Sequence, residues 1–297
     1  GTGPTYRTIG ILYQGRMWEV PLTGSAGKLL EASQLQASVE TVLQQTTPAE
    51  QNFAAVSALG SELLSLDAPW DVEANRSMYN RLVNMLFTLT LDPESNETMH
   101  TLKRWAFHPG YAWVYKPISY LVALESDLVA AQVEHSVMDA GTLATAVARM
   151  QAVNLASLDA QYDAYATKPH ELVWHGVEDL GLEVQPVAQA LSVEHVVVRR
   201  DDSLPFAISF EAGAQLILMI AQLLTFGYIR AHSALFDMRH FRAGRTEVVR
   251  PVTVEAVNFV TALVQDQATE EQFAAALTAH RDWISAANTG KVFDRHL

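Results

Sequence analysis

The alternation of two apolar patterns along the chain most constrains what these 297 residues can fold into. Short apolar runs bounded by turn residues, typical of strands, alternate with longer segments whose apolar residues recur every three or four positions, typical of helices. No internal repeat and no long Gly/Ser linker interrupts the alternation. We therefore expect a layered α/β (or α+β) fold rather than a solenoid or a string of tethered modules.

The pattern predicts where individual elements lie. IGILYQ and RMWEVPL flank Gly15 and predict a hairpin near the start. The other predictions in this half are helices at residues 35–44, 50–65 and 142–154, a loop between Pro93 and Pro109, and two strands around the turn Glu125-Ser126-Asp127. The second of these strands ends next to His135.

The pattern breaks near residues 162–169, and a new strand-like run, ELVWH, follows. We place a boundary between two lobes there, residues 1–166 and 167–297. A hydrophobic content of 49% is enough for two moderate cores. The second lobe is expected to hold a strand at 193–199 and helices at 210–228, 253–265 and 270–286.

Composition excludes several classes of function. A formal charge of −13 without a cluster of Lys and Arg disfavours nucleic acid and anionic membranes as partners. The ten histidines are scattered and cysteine is absent, so we expect no metal site, no disulfide and no thiolate chemistry.

The sequence also predicts where the protein resides. The most membrane-like segment, 216–229, is too short to span a bilayer and is interrupted by Gln222, which favours a buried helix. The first residues carry no basic segment followed by an apolar one, so no secretory signal is recognised. We expect an intracellular, cytoplasmic, soluble protein.

The first candidate for chemistry is His135, four residues before Asp139 in the segment EHSVMDAG. A histidine at the end of a strand can face a cleft while the carboxylate orients it, and imidazole suits removal of a hydroxyl proton near neutral pH. The spacing by itself is weak, because a strand-end histidine bonded to the backbone has the same appearance.

Two further polar segments stand out: FRAGRTEVVRPVTVEAVNFV at 241–260 and the terminal FDRHL. Together with EHSVMDAG they resemble the carnitine/choline acyltransferase family at three independent positions. The resemblance implies a two-lobed, coenzyme A-dependent acyltransferase fold of the chloramphenicol acetyltransferase type. It also implies acyl transfer, within fatty acid metabolism, between coenzyme A and the hydroxyl of carnitine or a similar carboxylate-bearing alcohol. His135 would be the general base and Asp139 its acidic neighbour, with acyl-CoA as co-substrate and no permanently bound cofactor.

The resemblance also implies an acceptor site. It runs without a gap from Ser209 to Val260, and in that register Thr246 falls on a threonine that helps to hold the carnitine carboxylate. Arg295 falls on the arginine that pairs with the same carboxylate, as a guanidinium can do bidentately. Ser233 departs from the pattern because it stands where the family has a carboxylate-binding tyrosine. The alternative interpretation is structural: Thr246 supplies a hydroxyl to a turn, and Arg295 forms an ion pair at the surface.

For the acyl donor, Arg200 falls on a lysine that contacts coenzyme A phosphates in the family, and Arg199 adds a second cation beside it. Leu204 replaces a second such lysine. The competing reading of Arg199 and Arg200 is an exposed strand end that pairs with the aspartates following it.

Three alternatives stay open at this point. The chain is an acyltransferase with a different alcohol acceptor, or a non-catalytic relative that binds acyl-CoA. Family members are longer than this chain, so it is also expected to be a fragment of a longer protein or an unusually compact member.

Overall fold

The computed structural model describes residues 7–24, 26–58, 72–94, 98–108, 110–154, 162–163, 168–177, 196–197, 208–242 and 244–292. The chain divides into two compact units, Gly1–Val196 and Val197–Leu297. Each unit combines helices and strands, which confirms the expected α/β class. The boundary predicted at residues 166/167 precedes a strand that still pairs within the first unit, and it stays a prediction about the two lobes.

A mixed sheet organises the first unit. Six strands lie side by side in the order β6-β5-β4-β1-β2-β8. Strands β1, β4 and β5 are parallel to one another, whereas β2, β6 and β8 pair antiparallel to their neighbours. The strands of this unit are β1 Thr8–Tyr13, β2 Arg16–Pro21, β3 Leu29–Leu30, β4 Thr88–Asp92, β5 Ile118–Ala123, β6 Val129–Val133, β7 Tyr162–Asp163 and β8 His170–Leu172. The short strands β3 and β7 form a separate parallel pair.

The described helices of the first unit are α1 Ala32–Leu43, a 3-10 helix Phe53–Ala58, α2 Glu73–Asn84, α3 Thr98–Phe107 and α4 Ala140–Gln151. They confirm the helices predicted at 35–44 and 142–154. Of the helix predicted at 50–65, residues 59–65 lie outside the described part, and the rest holds only the 3-10 helix.

The predicted hairpin is confirmed as β1 and β2, with Tyr13 opposite Arg16. Gln14 and Gly15 form the turn, and both have positive φ angles, 50° and 76°. A two-residue turn of this kind matches the right-handed twist of the strands that it joins. Glycine adopts this backbone conformation without strain, which is why Gly15 was a useful signal.

Strand β1 is buried on both faces along its whole length. On one face Ile9, Ile11 and Tyr13 pack in a cluster that includes Val42 of α1. On the other face Leu12 packs in a second cluster that includes Trp113, together with residues of the 3-10 helix and α2. The sheet is therefore covered on both sides, as an α/β layer arrangement requires.

The loop predicted between Pro93 and Pro109 is wrong, because this segment contains α3. The helix is anchored by Asp92 at the end of β4, whose carboxylate is fully buried. Arg104 pairs with this carboxylate, and the indole Nε1 of Trp105 donates to it at 2.6 Å. The sequence of this segment is typical of a loop, because Asp92, the partner of Arg104, lies on strand β4 and not within the helix.

The second unit contains α5 Phe210–Phe226, β9 Ala234–Asp237, β10 Thr246–Val249, α6 Val254–Val264 and α7 Glu270–Asn288. The three predicted helices of this lobe are confirmed. Side-chain oxygens of Ser209, Thr253 and Thr269 cap their N-termini, and Gly227 ends α5 in the left-handed conformation. Residues 193–195 and 198–199 of the predicted strand lie outside the described part of the chain.

Two apolar clusters hold the second unit together. Met219 of α5, Val260 of α6 and Ala276 of α7 share the first cluster with their neighbours. Val249 of β10 and Ala287 of α7 belong to the second. Strands β9 and β10 form an antiparallel ribbon, and α7 contacts both this ribbon and the other helices.

Lys116 is a buried cation in the first unit. Its side chain lies at the end of α2, where Nζ donates to the carbonyl oxygens of Val83 at 2.8 Å and Met85 at 2.5 Å. Carbonyls at the end of a helix lack donors within the helix, so the amine supplies the missing hydrogen bonds. Two donated bonds need only two N–H groups, which a neutral amine still has. Burial lowers the pKa of Lys116 to about 8.

This lysine makes the stability of the fold depend on pH. Between pH 8 and the ordinary lysine pKa of about 10.4, the unfolded chain binds one more proton at Lys116 than the folded chain. The free energy of unfolding should therefore rise with pH, by about 1.5 kcal/mol between pH 8 and pH 9.5. Above about pH 10 the pKa of Tyr111, raised mainly by burial to about 12, acts in the opposite direction.

Urea unfolding at a series of pH values, followed by circular dichroism, measures this rise. In Lys116→Met the rise should disappear, and the protein should lose about 1–3 kcal/mol because two carbonyls lose their donor. Lys103→Met removes an exposed lysine of α3 and should keep the rise. An equal slope of unfolding free energy against pH in Lys116→Met and wild type would contradict the assignment.

Candidate active site

His135 lies in the turn between β6 and α4, two residues beyond the end of an edge strand. Backbone N–H groups of Val137 and Met138 both donate to the carbonyl of Glu134, at 3.1 Å each, and this closes the turn. The strand-end position predicted for His135 is therefore confirmed. The turn presents the imidazole to the outside, with 70% of the side chain exposed.

Asp139 lies beside this imidazole. Its Oδ1 is 3.3 Å from Nδ1 of His135, within ion-pair distance although longer than an ideal hydrogen bond. Asp139 occupies the N-cap position of α4, where its carbonyl accepts the N–H of Leu143 at 3.0 Å. Its carboxylate, however, does not cap the helix. The helix start thus fixes the backbone of Asp139 while the carboxylate faces the histidine.

Burial separates the two partners. The carboxylate of Asp139 is 7% exposed, whereas the imidazole of His135 is open to solvent. A buried carboxylate next to an exposed imidazole orients the ring, as in a general-base pair. With Nδ1 facing Asp139, Nε2 is the ring nitrogen on the opposite side.

Glu134 and Ser136 stiffen the turn on either side of His135, and sequence reasoning missed this pair. The Glu134 carboxylate accepts from the backbone N–H of Ser136 at 3.1 Å and also from its hydroxyl. The hydroxyl bond is the main reason why the pKa of Glu134 is lowered. An acid two residues before a serine in a turn is a local signal that could have indicated it.

In the second unit, Thr246 is the first residue of β10. Its hydroxyl oxygen is buried and has no hydrogen-bond partner among the described residues. A buried hydroxyl without a partner is costly and rare in folded proteins, so each one needs an explanation. A ligand that accepts or donates a hydrogen bond at this position would supply the missing partner.

Asp237 is the cross-strand neighbour of Thr246. Hydrogen bonds from the Arg239 side chain, the shortest of which measures 2.6 Å, are the main cause of the low pKa of Asp237, which is about 2. The carboxylate next to Thr246 is therefore ionised and already held by a guanidinium. Any anion at Thr246 would need its own cation.

Ser233 lies just before β9, whose first residue, Ala234, pairs with Val249. The partner of Thr246, Asp237, is four residues further along the same strand, so Ser233 is separated from that position by about 13 Å. A serine side chain cannot cover such a distance. The structure therefore places Ser233 and Thr246 on one ribbon without bringing their hydroxyls together.

His232, next to Ser233, is a second residue that sequence reasoning missed. Its Nε2 is 2.8 Å from Oε1 of Gln215 on α5, and its Nδ1 is buried without a partner in the described part of the chain. The ring nitrogens of His232 are thus polar atoms next to Ser233. The sequence signal was weak, because a lone histidine before a strand is more often structural.

The other predicted site residues, Arg199, Arg200 and Arg295, lie outside the described residues. Within the described ranges, no group of three His, Cys, Asp or Glu side chains could hold a metal ion. Among the described helices, none combines the length and the apolar character needed to cross a bilayer. His135 and Asp139 are therefore the predicted pair that the structure brings together.

Comparison with known proteins identifies the class of protein. The chain matches the family Choline/Carnitine o-acyltransferase over residues 2–297, so nearly its whole length takes part in the match. The chain therefore belongs to the choline/carnitine O-acyltransferase family, a family of transferases, and the recognition from three sequence segments is confirmed.

Individual relatives are more distant. Human carnitine O-palmitoyltransferase 1, liver isoform, is 25% identical over 337 aligned residues, which cover 97% of this chain and 42% of that protein. Human carnitine O-acetyltransferase is 32% identical over 94 residues, 30% of this chain and 15% of that protein. The enzyme of the same name from Columba livia has the same identity over a segment of the same length. The chain thus spans less than half the length of these relatives.

The unpaired hydroxyl of Thr246 generates a test of the second unit by itself. Thr246→Val keeps the shape of the side chain and removes an oxygen that has no partner among the described residues, so the free energy of unfolding should stay within about 0.5 kcal/mol of wild type or rise. Urea denaturation measures the change.

Thr88→Val is the matched control, because the hydroxyl of Thr88 in β4 is fully buried and donates to Oγ of Ser119 at 2.8 Å. This variant should lose about 1–2 kcal/mol. If Thr246→Val lost as much, the Thr246 hydroxyl would have a partner within the protein, and its assignment to a ligand site would be wrong.

Proposed function

We propose that this protein transfers an acyl group between coenzyme A and the hydroxyl of carnitine or a similar carboxylate-bearing alcohol. Membership of the acyltransferase family supports the reaction class, and the relatives named above act on carnitine. The observation that supports a specific catalytic residue is the His135–Asp139 pair, with its exposed imidazole and buried carboxylate. The two-lobed fold of the chloramphenicol acetyltransferase type is part of this proposal.

His135 is the general base of the proposed mechanism. Its Nε2 removes the proton from the acceptor hydroxyl as the oxygen attacks the thioester carbonyl. The tetrahedral intermediate carries an oxyanion, which hydrogen-bond donors must stabilise. When it collapses, the carbon–sulfur bond breaks and the imidazolium returns its proton to the departing thiolate. Atoms and charges balance without a metal or a redox cofactor.

Asp139 is the positioning residue in this scheme. Its carboxylate lies on the Nδ1 side of the ring, so it favours the tautomer that leaves Nε2 to accept the proton. It also stabilises the imidazolium that forms during the transfer. Because its backbone begins α4, the carboxylate stays in place throughout the reaction.

Thr246 and Arg295 are the proposed ligands of the acceptor carboxylate. The buried, unpaired hydroxyl of Thr246 supports this role, since a carboxylate oxygen would accept its proton. Asp237 beside it is ionised, which makes the positive charge of Arg295 necessary. Arg199 and Arg200 are proposed to hold the phosphates of coenzyme A.

Transfer activity tests the base directly. In His135→Ala, release of free thiol from acyl-CoA in the presence of carnitine should fall at least about a hundredfold. His100→Ala, which changes an exposed histidine of α3, should keep the wild-type rate. A carnitine-dependent rate in His135→Ala equal to that of wild type would exclude His135 as the base.

The acceptor site has its own test. If Thr246 binds the acceptor carboxylate, Thr246→Val should raise KM for carnitine about tenfold while KM for acyl-CoA is unchanged. Thr225→Val changes an exposed threonine of α5 and serves as the control. An equal KM for carnitine in Thr246→Val and wild type would remove Thr246 from the acceptor site.

A second candidate acceptor follows from the position of Ser233. Because Ser233 lies about 13 Å from the partner of Thr246, it cannot assist Thr246 as the tyrosine of the family is expected to do. This favours an acyltransferase with another alcohol, such as an amino alcohol or a polyol. A screen of acceptors by thiol release distinguishes the two. Acyl-CoA binding in calorimetry without thiol release for any acceptor would instead identify a non-catalytic relative.

A further inference from the structure

The second unit contains a cavity of about 400 Å³. The start of α5, the β9–β10 ribbon and α7 surround it. Its wall is mainly apolar and is formed by Ile208, Leu235, Phe236, Val249, Leu277 and Ile284. None of His135, Asp139, Ser233 or Thr246 lines it.

One contact between a histidine and a glutamate lies in the wall of the cavity. Nε2 of His280 on α7 contacts Oε2 of Glu211, which lies in the first turn of α5. The imidazole is 11% exposed, so the pair is largely shielded from water on the histidine side. The N-terminus of α5 offsets the charge of the Glu211 carboxylate, and the His280 ring contacts this carboxylate directly. This carboxylate is therefore satisfied without a ligand.

Arg281 is the second charged group in the wall. Arg281 is exposed to solvent, and within the described part of the chain its guanidinium makes no hydrogen bond and no ion pair. The preceding residue of α7, His280, contacts Glu211, so the Glu211 carboxylate already has a partner. The cavity thus combines apolar walls with one solvent-exposed positive charge that has no partner among the described residues. A guanidinium in this setting pairs best with a carboxylate, which it can bind through two parallel hydrogen bonds.

We propose that this cavity binds a small aliphatic monocarboxylate. The carboxylate pairs with Arg281, and the alkyl chain lies against Leu235, Phe236 and Leu277. A volume of about 400 Å³ corresponds to roughly a dozen water-sized groups, which limits the ligand to a short or medium chain. The described residues of the proposed reaction do not line this cavity, so we assign it to a free acid rather than to the reacting groups.

Isothermal titration calorimetry of the full chain with octanoate tests the proposal. Octanamide is the matched probe, because it keeps the alkyl chain and removes the charge. Octanoate should bind with one site per chain and at least about tenfold more tightly than octanamide. In Arg281→Gln the affinity for octanoate should fall about tenfold, to that of octanamide. Arg242→Gln removes an exposed arginine outside the cavity and should leave both affinities unchanged.

A second variant tests the apolar wall. Ala234 also lines the cavity, and Ala234→Leu fills part of it, so octanoate binding should be lost. Circular dichroism establishes whether this variant keeps its fold, and Arg281→Gln tests the site independently if it does not. Undetectable binding to wild type, or equal octanoate affinity in Arg281→Gln and wild type, would overturn the proposal. His135→Gln should bind octanoate as wild type does, which separates this site from the proposed catalysis.

Discussion

Burial of β1 on both faces is the constraint on which the first unit depends. A strand with no solvent-facing side needs apolar partners above and below the sheet, and α1 and the 3-10 helix with α2 supply them. The parallel strands β4 and β5 extend the sheet from β1, and β6 closes its edge. The turn that carries His135 follows this edge strand, so its position derives from the register of the whole sheet.

Buried polar groups in this protein are of two kinds, those with a hydrogen-bond partner in the described structure and those without one. Asp92 and Lys116 are buried, and both have partners within the first unit. Asp92 accepts hydrogen bonds from Arg104 and Trp105. Lys116 donates to two carbonyls at the end of a helix. The hydroxyl oxygen of Thr246 is buried without such a bond among the described residues. The bonds of Asp92 and Lys116 stabilise the fold. The hydroxyl of Thr246, unpaired among the described residues, destabilises it, and a ligand that bonds this hydroxyl would remove the free-energy penalty.

Much of the secondary structure was predictable because its signals are local. The turn at Gly15, the capping serine and threonines of the second unit and the regular apolar spacing of α4 and α5 act within a few residues of one another. Helix α3 was missed because its anchor, Asp92, lies on β4 before it. The 3-10 helix was read as α-helical because apolar residues alone do not distinguish these two helices.

The sequence by itself determined the family, since three separated segments fix a register that needs no coordinates. It also determined that His135 and Asp139 are neighbours, because a four-residue spacing across a turn keeps two side chains close. Only the tertiary structure decided that Ser233 is too far from the partner of Thr246, that Lys116 is buried, and that Arg281 lines an apolar cavity. Strand register, burial and cavities arise from packing between residues distant along the chain, and local patterns do not encode them.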